Sequence, residues 1–185
     1  QSILMSGYLG SIGFALPAAL GAWSATEDFE SLRGRKVIAI SGDGGLAQYM
    51  AEFTTAVKYG MDITHVLLNN SELGKISKEQ LGENREGWQT ALQNPDFAGY
   101  ASSCGGLGIR VDRRDALRGA LEKALAFEGA SLVDIQHHLF DLGGELSIPE
   151  MEAIQAQHIT KLENILDELN APLPPLKELD RKSVV

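Results

Sequence analysis

Two short apolar runs, each closing on residues that end a strand, constrain this chain more than any other feature. Val37-Ile38-Ala39-Ile40 ends at Ser41-Gly42-Asp43-Gly44-Gly45, and Ile63 to Leu68 (ITHVLL) ends at Asn69-Asn70. Uninterrupted apolar runs of this length read as strands buried on both faces, the pattern of a parallel sheet. Between them Leu46, Met50, Phe53 and Val57 recur at steps of three and four. That spacing predicts one helix over 46–59, with Gly60 as its C-terminal stop. Ser71 to Gln93 reads as a variable polar stretch. The pattern then predicts a helix over 95–103, a strand over 108–111 and a helix over 113–127 capped by Asp112. That last helix carries Ala116, Leu117, Ala120, Leu121, Ala124 and Leu125 on one face. A fourth strand follows at 132–135. Strands alternating with helices predict an α/β fold, a three-layer parallel sheet with helices on both faces.

The chain has 185 residues, enough for one core and a tail. Composition changes after Gly143-Gly144, so residues 1–145 read as the domain and 146–185 as an appendage. In the latter, Met151, Ile154, His158, Leu162, Ile165 and Leu169 predict an amphipathic helix from Glu150 to Asn170, ended by Ala171-Pro172-Leu173-Pro174-Pro175. With five acidic residues against Lys161, it reads as a packing helix or a cover for the active site. A net charge of −9 and a pI near 4.9 argue against nucleic acid and anionic membranes as partners. The single cysteine, Cys104, excludes an internal disulfide and suits a reducing, cytoplasmic compartment.

No charged residue precedes Glu27, which raises the question of a membrane span. Gly7, Gly10, Gly13, Gly21, Pro17, Ser6 and Ser11 dilute that opening, and no basic residue flanks it, so no membrane span is expected. A loop and helix that approach something closely is the better reading, because glycine permits close backbone contact. The start at Gln1 is read as a cut, with more of the protein lying upstream.

A strand, then Gly-Asp-Gly-Gly, then a helix has a physical use. Unpaired amides at the helix start attract anions, and side-chain-free Gly44 and Gly45 admit a phosphate to the backbone. Asp43 at the strand's carboxyl end can hold a divalent cation against it, and Asn69-Asn70 ends the next strand at the same side of the sheet. A carboxylate and an amide oxygen are the hard ligands that Mg²⁺ selects. No Lys follows the glycines, which excludes a Walker loop, and Leu46-Ala47-Gln48 fits a dinucleotide fingerprint poorly.

Gly42-Asp43-Gly44 followed by Asn69-Asn70 resembles the thiamine diphosphate motif of the pyruvate oxidase, acetolactate synthase and pyruvate decarboxylase family. Upstream, Gly7 to Ala19 (GYLGSIGFALPAA) is similar to the glycine-rich segment that precedes the motif there. Downstream, Asn70 to Gln80 (NSELGKISKEQ) and Asn94-Pro95-Asp96-Phe97-Ala98 continue the likeness, which covers roughly residues 3–140. The resemblance implies the thiamine diphosphate-binding fold, with thiamine diphosphate and Mg²⁺ as cofactors. It assigns Asp43, the Asn70 side chain and the Glu72 backbone carbonyl to the metal, and Gly44 and Gly45 to the diphosphate. Ile12 matches the apolar wedge that bends the cofactor, and the Gly10 carbonyl matches the acceptor for its 4′-amino group. Ser11, Leu73 and Gly74 fall among the cofactor-binding positions. The thiazolium ring would serve as electron sink for decarboxylating a 2-oxo acid.

In this family the carboxylate that activates the pyrimidine ring comes from a separate pyrimidine-side domain, usually of a neighbouring subunit. A homodimer or homotetramer is thus implied, with pyrimidine-side and middle domains outside this chain, which alone is expected to be inactive. Glu72 to Gln80 resembles pyruvate oxidase more than the decarboxylases, and Lys75, Ile76 and Glu79 match substrate-side positions. An oxidase would imply FAD bound elsewhere in the full-length protein. An acetolactate synthase-type carboligase is the alternative, and a non-catalytic module that keeps the fold is a further one. On the other side, Lys75 and Glu79 at i, i+4 make an ordinary surface pair. His137 and His138 point to opposite strand faces, while His65, Cys104 and His158 read as packing residues.

Overall fold

The computed structural model describes residues 3–7, 10–83 and 85–136, all within the unit Gln1–Asp141. The expected helix from Glu150 to Asn170, the tail, His137, His138, His158 and the boundary near 145 lie outside the described residues.

Four strands form a parallel sheet: β1 (Val37–Gly42), β2 (Ile63–Asn69), β3 (Leu107–Val111) and β4 (Ser131–Gln136), in the order β1-β2-β4-β3. Among the described residues six α-helices accompany them: α1 (Ala15–Asp28), α2 (Asp43–Tyr49), α3 (Phe53–Lys58), α4 (Gly74–Gly82), α5 (Phe97–Ser103) and α6 (Arg114–Ala126). The α/β, helix-covered parallel sheet expected from the alternation is the architecture observed.

The period of two along each strand divides the core between the two faces. On one face Leu16 and Ala19 of α1, Leu46 of α2, Phe53 and Ala56 of α3, and Phe97 and Ala101 of α5 pack on Ala39, Ile63, Leu67 and Leu132. On the other, Ala120 and Ala124 of α6 pack on Val111, Val133 and Ile135. Adjacent residues Leu132 and Val133 thus serve opposite layers.

Five expectations need correction. Strand β1 is not buried on both faces: Ile38 and Ile40 are 50% and 62% exposed. It lies at the sheet edge, and α6 covers only the β3–β4 end of that face. The helix expected over 46–59 is two helices separated by a 3-10 turn at Met50–Glu52, where the Tyr100 hydroxyl donates to the Met50 carbonyl at 3.1 Å. The polar stretch from 71 to 93 contains α4, whose Lys75–Glu79 pair spans one turn. Helix α6 starts one residue later than Asp112 would cap it: Arg113 is the N-cap and makes no side-chain cap bond. Ala116 and Leu125 of that helix are exposed rather than on its packed face. Gly60, with φ of 60°, does sit just past the end of α3, as expected.

Candidate functional site

Register builds the site. Gly42 pairs with Leu68, so β1 and β2 end level, and Asp43 and Asn69 lie side by side where the strands end. Beyond β2 the chain makes successive asparagine turns: Ser71 N–H donates to Asn69 Oδ1 and Glu72 N–H to Asn70 Oδ1, each at 3.3 Å. Ser71 itself sits at φ of 54°, a left-handed conformation uncommon outside glycine. The turn is held by a short antiparallel pairing with residues 90–92: Leu73 N–H donates to the Thr90 carbonyl and Leu92 N–H to that of Ser71, each at 2.8 Å. The Glu72 carboxylate accepts from Ser77 and, at 3.4 Å, from Thr90.

Asp43 opens α2 and is 2% exposed. Its Oδ2 accepts from the side-chain amide of Asn94 at 2.6 Å, and the same amide donates to Asn69 Oδ1 at 3.0 Å. Asn69 in turn donates to Asp134 Oδ1 at 2.9 Å, as does Gln136. Asp134 is buried, and among the described residues its Oδ2 has no partner. Burial pushes its carboxyl above the usual carboxylate range; the Asn69 bond and Arg110 oppose this, while the charges of Asp96 and Asp43 add to it.

Neither Asp43 nor Asp134 belongs to an ion pair among the described residues. A buried carboxylate without a counter-charge is unfavourable, and a divalent cation would relieve it. Among the described residues no three His, Cys, Asp or Glu side chains converge. The expected set needs only one carboxylate, the Asn70 amide oxygen and the Glu72 carbonyl, all gathered at these two strand ends. Their hard-oxygen chemistry fits Mg²⁺.

The opening segment packs against the start of α2. A Cβ on Gly45 would lie 3.4 Å from Gly13 N and 3.7 Å from Ile12 Cγ2. A Cβ on Gly13, whose φ is 89°, would fall 2.6 Å from the Tyr49 ring, so no side chain fits there. Gly10 also has a left-handed backbone, φ 59°, Ser11 N–H donates to Ser6 Oγ at 3.2 Å, and Ile12 stands half exposed. Gly44 is overlain by Leu73 Cδ2, 2.8 Å from where its Cβ would be; at Gly74 a Cβ would meet Asn70 Nδ2, also at 2.8 Å. Ile12 and Gly13, Asp43 to Gly45 and Asn70 to Gly74 thus lie at or around the ends of β1 and β2, with Gly10 and Ser11 just before them in the chain.

The substrate-side candidates are placed differently. Lys75 and Glu79 pair with each other at 2.8 Å on an exposed turn of α4, and Ile76 is 40% exposed beside them. The Glu79 hydrogen bond and charge hold the Lys75 ammonium above its ordinary value. Among the described residues no hydrogen bond or ion pair joins these side chains to Asp43, Asn69 or Asn94. His65 is a buried group of β2 with Nε2 2.8 Å from Ser41 Oγ, but among the described residues its Nδ1 has no partner, so it is only half satisfied. Cys104 packs half-buried against the core.

Sequence reasoning placed Asn69 in the motif but gave no role to Asn69, Asn94 or Asp134. Asp134 did carry a signal, a carboxylate inside the apolar run Leu132-Val133-Asp134-Ile135, where an acidic residue needs a reason. Asn94 carried only its place in Asn94-Pro95-Asp96-Phe97-Ala98, a segment of the family likeness that assigned it no role.

The family model for the thiamine pyrophosphate enzyme, C-terminal TPP binding domain, matches residues 1–135. A second model, cobalamin adenosyltransferase, matches residues 110–180, less than half of the chain; its described part falls largely on α6 and β4 of this sheet. YdaP of Bacillus subtilis (strain 168), named as a thiamine pyrophosphate-containing protein, is 34% identical over 96% of this chain and 30% of its own length. The acetolactate synthase of the same organism is 31% identical over 72% of the chain and 22% of its own length. The mitochondrial acetolactate synthase catalytic subunit of Saccharomyces cerevisiae is 34% identical over 74% and 19%. The crystal structure of benzoylformate decarboxylase from Polynucleobacter necessarius superposes with a TM-score of 0.63 at 26% identity, over 69% of this chain and 24% of that one. This chain therefore spans under a third of the length of these relatives. A matched model over residues 1–135 and relatives above 30% identity across most of the chain lead to one conclusion: it belongs to the thiamine pyrophosphate enzyme family and carries that family's C-terminal TPP-binding domain.

Proposed function

We propose that this domain binds thiamine diphosphate through Mg²⁺ and forms part of an enzyme that decarboxylates a 2-oxo acid such as pyruvate. The observation that carries the reading is Asp43, a buried carboxylate at the end of β1 with a neutral amide as its hydrogen-bond donor and, among the described residues, no cation paired to it. Asp43, the Asn70 side chain and the Glu72 carbonyl would hold the metal. Gly44 and Gly45 would meet the diphosphate, with Leu73 and Gly74 completing that wall. The Gly10 carbonyl would accept from the aminopyrimidine, with Ser11 beside it and Ile12 as the apolar wedge. When bound, the cofactor supplies an electron sink for decarboxylation. The chain's own residues position it: left-handed glycines shape the loop, and the asparagine turns after β2 orient the ligands.

Two fates of the decarboxylated fragment are supported by different observations. Glu72 to Gln80, with Lys75, Ile76 and Glu79 on the substrate side, supports an oxidase, for which FAD would be bound elsewhere in the full-length protein. Relatives named acetolactate synthase support a carboligase equally. The activating carboxylate would come from a pyrimidine-side domain of a neighbouring subunit in a homodimer or homotetramer, acting in the cytoplasm. Residues 146–185 are proposed as a separate appendage.

Titration of the full-length protein with thiamine diphosphate, with and without Mg²⁺, tests the binding. Metal-dependent binding is expected, and Asp43→Ala is expected to abolish it; a folded sample that ignores millimolar cofactor would overturn the reading. Product analysis with pyruvate separates the fates, acetate or acetyl phosphate marking the oxidase and acetolactate the carboligase.

A further inference from the structure

The site holds two buried carboxylates, Asp43 and Asp134, bridged by two asparagine amides that the binding reading does not use. A carboxylate can only accept hydrogen bonds, so Asp43 dictates how the Asn94 amide is oriented. The group of Asn94 that faces Asp43 Oδ2 must be its NH₂, and that NH₂ spends its second proton on Asn69 Oδ1. Asn69 Oδ1 also receives the Ser71 N–H, so the opposite end of its amide must be the NH₂ that faces Asp134 Oδ1. The orientations in the chain Asp43–Asn94–Asn69–Asp134 follow from Asp43 at one end and from the Ser71 N–H that Asn69 accepts.

Asn94 reaches Asp43 from 51 residues away, and its own place is determined locally. Pro95 confines the Asn94 backbone to extended conformations. Immediately after it, Asp96 caps α5 by accepting from Gly99 N–H at 3.0 Å. Immediately before it, residues 90–92 are paired to Ser71–Leu73, the loop that presents the Glu72 carbonyl. One segment, 90–96, is thus fastened to the metal-side loop and to the Asp43 carboxylate together. An unrestrained aspartate rotates broadly about its terminal torsion; the bond to Oδ2 selects one orientation, and among the described residues no hydrogen bond is given to Oδ1.

We infer that Asn94 is a positioning residue that orients Asp43 for a divalent cation and couples it to the Asn69–Glu72 turn. This rests on the proposed metal-dependent binding, and it adds a residue with no ligand contact of its own. Hydrogen-bond partners of metal ligands typically contribute about 10–100-fold to metal affinity. Mg²⁺ demands nearly ideal octahedral geometry, whereas Ca²⁺ tolerates displaced ligands. Loss of orientation should therefore weaken Mg²⁺ more than Ca²⁺.

The test is calorimetric titration of Mg²⁺ and, separately, Ca²⁺ into the full-length protein with saturating thiamine diphosphate, for wild type, Asp43→Ala, Asn94→Ala and Asn94→Leu. The last variant keeps the approximate shape of Asn94 while removing its donor and adding no charge, so it remains informative if the alanine variant folds poorly. Expected is a 10–100-fold loss of Mg²⁺ affinity in both Asn94 variants, with a smaller loss for Ca²⁺. If wild type binds Mg²⁺, Asp43→Ala does not, and the Asn94 variants stay within about twofold of wild type, the inference is overturned while the binding reading stands. Equal losses for the two cations, tracking a fall in the metal-free unfolding midpoint, also overturn it, because that is what a merely structural role would produce. Absence of binding by wild type itself overturns the reading beneath it.

Discussion

At the scale of single residues, burial separates groups that look alike in sequence. His65 stands in an apolar run, and the structure buries it completely, with Nδ1 unpartnered and Nε2 bonded to Ser41. Desolvation lowers its pKa from 6.5 to about 4. Below pH 6.5 the unfolded chain takes up the proton that the folded chain refuses, so stability is full above that pH and falls as pH drops toward 4. The expected loss between pH 7 and pH 5 is about 2 kcal/mol, measured by urea unfolding. His65→Gln should flatten that slope; an unchanged slope would place the titration elsewhere. The raised carboxyl of Asp134 acts with the opposite sign, but it is present in both proteins and cancels in the difference. Strand-end position and residue type suffice to suggest a chemistry for Asp43 and Gly44, whereas the choice of Asn70 over Asn69 came from the family resemblance. Asn94 was not legible, because a polar residue before Pro95 reads the same whether it faces solvent or a carboxylate 51 residues away.

At the scale of elements, existence and order were legible and continuity was not. Leu46, Met50, Phe53 and Val57 keep helical spacing, yet the helix breaks at Met50–Glu52, and Tyr100 of α5 takes the freed Met50 carbonyl. Periodicity records which side chains face the core, and both halves still present Leu46, Phe53 and Ala56 to it. It carries no information about a hydrogen bond offered by a distant helix. Glycines behave likewise. Gly119 lies in the middle of α6 with open space where a Cβ would go, so Gly119→Ala should stabilise by about 1 kcal/mol through helix propensity. Gly108 lies in β3 directly beneath the Ala98 carbonyl of α5, where a Cβ would clash with backbone. Gly108→Ala should destabilise by about 2 kcal/mol or more by forcing the helix off the sheet. Thermal unfolding of the two variants checks both signs, and similar midpoints would contradict this packing of α5 on β3.

At the scale of the whole molecule, the order β1-β2-β4-β3 places β2 and β4 inside the sheet and β1 and β3 at its edges. Hydrogen exchange on the 185-residue chain should be slowest in 63–69 and 131–136, where each strand has neighbours on both sides. Faster exchange there than in 37–42 would contradict the strand order. No described helix is long and apolar enough to cross a membrane, and the uncharged opening instead wraps its Gly13 around Tyr49 and its Ile12 beside Gly45. By itself the sequence determined the α/β class, the turn that ends each strand and the residue types gathered there, because periodicity, glycine and chain-terminating polar residues act locally. Only the tertiary structure decided that β1 is an exposed edge, that the helix after Asp43 breaks, and that Asn94 and Asp134 share the site. Those outcomes depend on which segments meet across the sheet, and contact between distant segments leaves no periodic trace in the chain.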